Sequence, residues 1–442
     1  MTSVTARHLN NIHSLYDRIK PFQAYLGIIL LRLTFDIVYL FIINPVYGYS
    51  GFLLDFVAYK YVLSWLVTLG MTPFIVNLYN NSSVSSTIIL LINLIYFIPG
   101  CTLYSMAGLP DSYFLFYGLY WIILMIWQYK IPYIHFRLPP EKLSRLVFYA
   151  IIVLIGLGAI AISGMYNGFQ MNFRLDNVYE LRMQQRSLGL LSLVGYFQPL
   201  ASIFLPLVLV YFLAKKRYLL SLVALIIQML LFSFGGMKFT LLLVPVALCG
   251  FYLYREKRMD WFSWGMVAFN FMALFEYLLR KSYWITAYFQ NRSIMLTNLI
   301  SYQYYDFFST HTPDYLFQGI LRRLGFLSQY DIQIPYIIGF NYYGNIANRA
   351  NNGLVGDAFS NFAWLGLIVF PLFIILALRL MDACAHGLDR RLLITVFAGY
   401  AFLFTNGSFF TIMLTNGFIF MCAALFFMPR TGRIMNTAGK PL

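Results

Sequence analysis

The chain is predicted to be an all-α, polytopic membrane protein, and three observations agree on it. Hydrophobic residues make up 60% of its 442 residues. Charged residues make up 11%, where a soluble domain carries about 25%. Mean hydropathy is +0.71, so most of the surface must face something other than water. Twelve apolar runs are read as crossing helices, near 22–44, 56–78, 85–107, 113–129, 146–164, 190–214, 218–234, 239–254, 261–279, 355–380, 391–405 and 408–428. Those at 239–254 and 391–405 are short enough to be tilted neighbours or half-buried pieces. The whole chain, 1–442, is taken as one integral membrane domain.

The first run carries Arg32 and Asp36, four apart and so on one helix face, which predicts an ion pair inside a span. It has no small-residue cleavage site, which makes it a first span and not a signal peptide. Lys60 is expected to snorkel or to pair nearby. The four cysteines, Cys101, Cys249, Cys384 and Cys422, stand singly without C-x-x-C spacing and are read as packing residues.

A net charge of +15 would point to nucleic acid in a soluble protein, but in this chain it reflects topology and anionic lipid, and no nucleic-acid partner is expected. Lys and Arg are retained on the cytoplasmic side of membrane proteins. Six segments fit that side: Arg7, Arg18 and Lys20; Lys130, Arg137, Lys142 and Arg145; Lys215, Lys216 and Arg217; Arg255, Lys257 and Arg258; Arg379, Arg390 and Arg391; and Arg430, Arg433 and Lys440. Both termini are therefore expected in the cytoplasm.

Two outward connections are long, 165–189 and 280–354. The second exceeds what a compact protein leaves structureless, so it is expected to be partly helical. No internal repeat or pair of matching interrupted helices appears, which weighs against transporters built from inverted halves.

The basic residues of these two loops run against the positive-inside trend. They are Arg174, Arg182 and Arg186 in the first, and Arg280, Lys281, Arg292, Arg322, Arg323 and Arg349 in the second. Arginines on a translocated face suit a phosphate-bearing headgroup or substrate; the alternative is pairing with Asp176, Glu180, Asp306, Asp314, Asp331 and Asp357. In SFGGMKFT, Gly235 and Gly236 precede Lys238 at a helix start, which suits either an anion site or a tight turn. In YQYYDFF, Tyr302, Tyr304, Tyr305, Phe307 and Phe308 surround Asp306, with His311 five residues on. Such rings suit sugar faces or a membrane-interface belt, and Asp306 and His311 are candidate proton acceptors. Asp357 and Asn361 share a helix face entering the membrane, with Arg349 and Asn352 just before them. Glu276 is read as neutralising Arg280 one turn on.

No D-x-D occurs, and Walker A, Rossmann glycine, H-E-x-x-H and G-x-S-x-G patterns are absent, which makes a nucleotide-driven pump, metalloprotease or serine hydrolase an unlikely class. No metal or cofactor is called for.

Taken together, GGMK before a span, ELRMQQRS with Arg182 and Arg186, NRSIMLTN followed by YYDFFS, and NRANNGLVGDAFSNFAWLGL entering a span resemble the Wzy-type O-antigen polymerases of bacteria. The match is loose over the chain and closer over residues 165–365. Members often have NFG near the last motif, where this chain has Asn361, Phe362 and Ala363. The resemblance implies a GT-C-like, metal-independent glycosyltransferase on the periplasmic face of the inner membrane. It would move a glycan from undecaprenyl diphosphate to a lipid-linked acceptor repeat unit, alongside a flippase and a chain-length regulator. It further implies that Arg174, Arg182, Arg186, Lys238, Arg280, Lys281, Arg292, Tyr305, Arg322, Arg323, Arg349, Asn352 and Asn361 include the diphosphate and glycan ligands. Asp306, His311 and Asp357 are then the available bases. The nearest alternatives are an O-antigen ligase, with the same chemistry and a different acceptor, and a lipid-linked oligosaccharide flippase. A flippase would show two related halves and a charged central cavity. A membrane scaffold explains the spans but not the outward arginines.

Overall fold

The computed structural model describes residues 22–169, 192–254 and 259–430. Among the described residues there is helix and no strand. Nine of these helices are long and apolar enough to cross a membrane, so the protein is membrane-embedded and polytopic. They are α1 (Phe22–Ser50), α2 (Ala58–Tyr79), α3 (Val84–Met106), α5 (Glu141–Tyr166), α6 (Val194–Ala214), α7 (Tyr218–Gly235), α9 (Trp261–Arg280), the pair α12–α13 (Leu354–Ala385) and the pair α15–α16 (Phe409–Phe427). The three other apolar runs are also helical: α4 (Asp111–Lys130), α8 (Lys238–Leu253) and α14 (Ile394–Asn406). Helix α8 has 16 residues and α14 has 13, and α4 is diluted by Tyr113, Tyr117, Tyr120 and Gln128.

The chain divides into two compact units. The first holds residues up to Ser82, then Ile89–Tyr129 and Lys257–Leu372. Its charged pair Arg32–Asp36 forms as an i,i+4 contact and is fully enclosed. A charge at that depth is tolerable only when it is paired and hydrogen-bonded. Arg32 also gives hydrogen bonds to the Thr102 hydroxyl, to Ser64 Oγ (2.9 Å), to Ser105 Oγ (3.2 Å) and to the Cys101 carbonyl (3.2 Å). Its guanidinium lies 5.3 Å from the Trp65 ring centre. Lys60 pairs as expected, donating to the carbonyls of Gly108 (2.9 Å) and Leu109 (2.8 Å), with Asp111 at 3.9 Å.

Three stretches of this unit are π-helical: Tyr39–Ile43 in α1, Asn93–Phe97 in α3, and Thr286–Met295 leading into α10 (Leu296–Thr310). A π turn carries one residue more than an α turn and re-aims the side chains beyond it. In α3 that turn precedes a buried polar seam. The Tyr117 hydroxyl donates to the Tyr96 carbonyl (2.9 Å), Tyr96 and Ser301 share a hydroxyl hydrogen bond, and Ser301 donates to Asn352 Oδ1 (3.1 Å). Gly100 permits this approach, because a Cβ there would lie 2.0 Å from the Tyr117 hydroxyl.

The second unit holds Ser83–Ile88, Lys130–Glu256 and the chain from Phe373 onward. Gln228 in α7 ties its neighbours together through the carbonyls of Ser202 (3.2 Å) and Thr240 (2.7 Å). Arg379 is buried, hydrogen-bonded to the Ile131 carbonyl (3.1 Å), Ser85 Oγ (2.7 Å) and Asp382 (3.1 Å), and stacked over Tyr133.

Candidate functional site

The segment 280–354 is partly helical, with α10 and α11 (Ile334–Tyr343) inside it. The Arg280 charge favours the Glu276 carboxylate, but the hydrogen bonds of Glu276 go elsewhere. Both Glu276 oxygens accept from the start of the following helix, namely Ser282 Oγ (2.7 Å) and the backbone N–H groups of Trp284 (2.8 Å) and Ile285 (2.7 Å). Helix N-termini carry orphan donors and positive potential, so a carboxylate is better placed there than beside an exposed guanidinium.

Arg280, Lys281, Arg292, Arg322 and Arg349 are all exposed. Among the described residues, none of the four arginines makes a close ion pair with a described carboxylate, so the pairing alternative does not account for them. Lys281 lies over the Tyr277 ring and Arg349 over the Tyr336 ring, at 5.7 and 5.9 Å. Arg174, Arg182, Arg186 and the Arg323 side chain lie outside the described residues. Lys238 belongs to the second unit, at the head of α8. The two glycines before it are explained by a turn: Gly236 takes a left-handed φ of 54°, and a Cβ on Gly235 would collide with Gln198.

The polar residues converge around α12 (Leu354–Phe362), whose residues from Leu354 to Asn361 are buried. Asn361 donates to Asp357 Oδ1 (3.0 Å) and to its carbonyl (2.9 Å), and accepts from the Leu316 N–H (3.0 Å). Its own carbonyl accepts from the Tyr315 N–H (3.2 Å), and that of Ser360 from the Asp314 N–H (2.9 Å). Asp357 also sits in the first turn of α12, where the helix dipole favours a negative charge. Tyr305 packs its ring 4.4 Å from that of Phe359, and the Tyr304 hydroxyl donates to the Ala350 carbonyl (2.9 Å). Burial holds the Tyr304 phenol above its usual value; the Asp357 carboxylate pushes it further up and Arg349 opposes, so both charges lie within electrostatic reach of this hydroxyl.

Backbone strain is concentrated at this point. Tyr315 (φ 52°), Leu316 (φ 66°), Leu354 (φ 45°) and Ala363 (φ 47°) are four non-glycine residues with left-handed backbone, bracketing α12 and its partner loop. Each such residue costs about 1–3 kcal/mol and persists when its surroundings enforce it, a situation common at functional sites. Ala363, with ψ −130°, occupies conformational space natural to glycine. The Ala363→Gly variant is therefore expected to stabilise the protein by about 1 kcal/mol after the entropy cost of glycine. Thermal unfolding in detergent would show a higher midpoint, and a lower one would contradict the strain argument.

Asp306 and His311 are exposed. The Tyr342 hydroxyl donates to Asp306. The His311 ring stacks on Phe307 at 3.9 Å, with Nδ1 2.8 Å from the Phe307 carbonyl.

Asp314, not singled out by the sequence as a site, braces the loop that follows. It accepts from Ser328 Oγ (2.5 Å) and the Gln318 N–H (2.8 Å), while Gln318 donates to the carbonyls of Tyr330 (3.0 Å) and Ile332 (2.7 Å). Burial holds the Asp314 carboxyl above its usual value, partly offset by those two donors. A carboxyl whose pKa rises on folding contributes stability fully below its unfolded value of 3.8, and that contribution is lost as pH rises through the folded value. The unfolding midpoint in detergent is thus expected to fall as pH rises above about 4, and in Asp314→Asn that part of the pH dependence should vanish.

Among the described residues, no group of three His, Cys, Asp or Glu is placed to hold a metal ion. No family profile, curated protein or solved structure matches the chain.

Proposed function

We propose that the protein is a polymerase of lipid-linked oligosaccharide repeat units, a metal-independent and GT-C-like glycosyltransferase of the bacterial inner membrane. In this reading there are about twelve spans, both termini are cytoplasmic, and the 165–189 and 280–354 loops are periplasmic. The observation that carries the proposal is the set of exposed arginines, Arg280, Arg292 and Arg349, without close carboxylate partners, on the segment that bears Asp306 and His311 and leads into the strained α12. The aromatic and arginine motifs of that segment add the resemblance to O-antigen polymerases.

The acceptor sugar hydroxyl attacks the anomeric carbon of the donor glycan. A C–O bond forms there as the bond to the diphosphate breaks, and its electron pair leaves on undecaprenyl diphosphate. The developing charge on that leaving group requires cations in a poorly solvated setting, a task arginine performs with paired N–H donors. The acceptor proton passes to a base. Asp306 and His311 Nε2 are exposed and reachable, whereas Asp357 is buried and hydrogen-bonded to Asn361, which suits it to hold Asn361 and the Tyr315–Leu316 turn in place.

Deletion of the gene, followed by a gel of the lipopolysaccharide and of lipid-linked glycans, tests the proposal. Core capped by a single repeat unit is the expected result, because flipping and ligation still operate. Bare core with polymer left on the carrier would identify a ligase instead, and repeat units stranded on the cytoplasmic side a flippase.

A further inference from the structure

Between α10 and α11 the chain turns outward through a short helical turn, Leu321–Leu324, and a left-handed Gly325 (φ 91°). The tip this creates is apolar: Leu324 is 72% exposed, Leu327 is 87% exposed, and Phe326 is about half exposed. Apolar area left in water forfeits roughly 25 cal/mol per Å². The tip is nevertheless rigidly held. The Asp314–Ser328 and Gln318–Tyr330 hydrogen bonds close its base, Gln329 Nε2 donates to the Thr312 carbonyl (3.0 Å), and the Phe326 ring stacks parallel to Phe317 at 5.7 Å.

An aromatic series leads from this tip to the membrane. Phe317 contacts Tyr315 (6.1 Å), and Tyr315 contacts Phe362 (6.3 Å) at the elbow where α12 turns into the membrane-crossing α13 (Gly366–Ala385). Trp364 and Leu365, in the turn before α13, and Ile368 on α13 are exposed at the head of this long apolar helix. The tip is therefore joined through these rings to the exposed apolar head of a helix long and apolar enough to cross a membrane. Arg322 is exposed beside the apolar residues, and its guanidinium matches a lipid phosphate.

We propose that Leu321–Leu327 is a membrane-surface anchor. Leu324, Phe326 and Leu327 sit at the boundary between headgroups and acyl chains, and Arg322 binds a phospholipid phosphate. Apolar and aromatic residues flanked by arginine are the composition that partitions to this depth. The anchor fixes the height of the loop that carries Asp306 and His311 at its start, and it does not depend on the polymerase reading.

The test uses the full chain in vesicles of phosphatidylethanolamine and phosphatidylglycerol, doped with nitroxide-labelled phosphatidylcholine. Cys249→Ala removes the exposed cysteine, and an environment-sensitive fluorophore is attached through Leu327→Cys or, as a polar reference, Asn345→Cys. The expected result is several-fold stronger quenching by nitroxide lipid at 327 than at 345, with weak quenching by aqueous iodide. Adding Arg322→Glu should lower the lipid quenching at 327. Equal iodide quenching at both positions would place the tip in water and overturn the proposal. Shielding from both quenchers, accompanied by energy transfer between labels on separate chains, would assign the tip to a second copy and overturn it too.

Discussion

Arg32→Ala is expected to be the most damaging single substitution for folding. It leaves the Asp36 carboxylate buried without its cation and strips a donor from Ser64, Thr102, Ser105 and the Cys101 carbonyl at once. Removing one partner of a buried charge pair costs about 3–5 kcal/mol, a large share of the 5–15 kcal/mol that holds a typical protein folded. The yield of monodisperse protein in detergent and its unfolding midpoint should both drop. The double variant Arg32→Met/Asp36→Leu should recover much of the loss, because replacing both charges removes the uncompensated carboxylate. A single variant that melted where the parent does would show that the cluster is not structural.

Arg349→Ala is expected to give the largest loss of activity with the fold retained. Arg349 is exposed, rests over Tyr336, and lies five residues before the start of the strained α12, nearer in sequence than the other exposed arginines. If it neutralises the leaving diphosphate, losing one charge-assisted contact costs roughly 1.5–3 kcal/mol, or about ten- to hundredfold in rate. Glycan chain length in complemented cells, with protein level checked by immunoblot, measures this. Arg349→Lys should recover part of the rate, since a lysine restores charge without paired donors. Normal chain lengths in Arg349→Ala would remove it from the diphosphate site.

Much of the architecture was readable from local pattern. Each of the twelve apolar runs coincides with a helix, because apolar length is a property of contiguous residues. Arg32 with Asp36, and Asp357 with Asn361, were visible because four residues bring side chains together on any helix. What was hidden depends on contacts distant in sequence or on backbone geometry. Glu276 takes its hydrogen bonds from the backbone at 284 and 285 because the next helix starts there, which no spacing rule reveals. The role of Asp314 rests on Ser328, fourteen residues away. The strain at Tyr315, Leu316 and Leu354 leaves no mark, since these are ordinary residues in unusual conformations. Ala363 is likewise an ordinary residue, held in a backbone conformation natural to glycine.

The π-helical turns make the first unit sensitive to the length of its helices as well as their composition. Each π turn holds one more residue than an α turn, so deleting a single residue between Asn93 and Phe97 would let α3 close as an uninterrupted α-helix. The deletion removes only the extra residue, so the helix on both sides keeps its face, whereas a deletion in the regular α-helical turns that follow would swing everything beyond it by about 100°. With the residue lost just after the π turn, between Phe97 and Gly100, Tyr96 and Gly100 would no longer both face Tyr117. A one-codon deletion should thus be tolerated inside the π turn and act as a rotation of half a helix just after it.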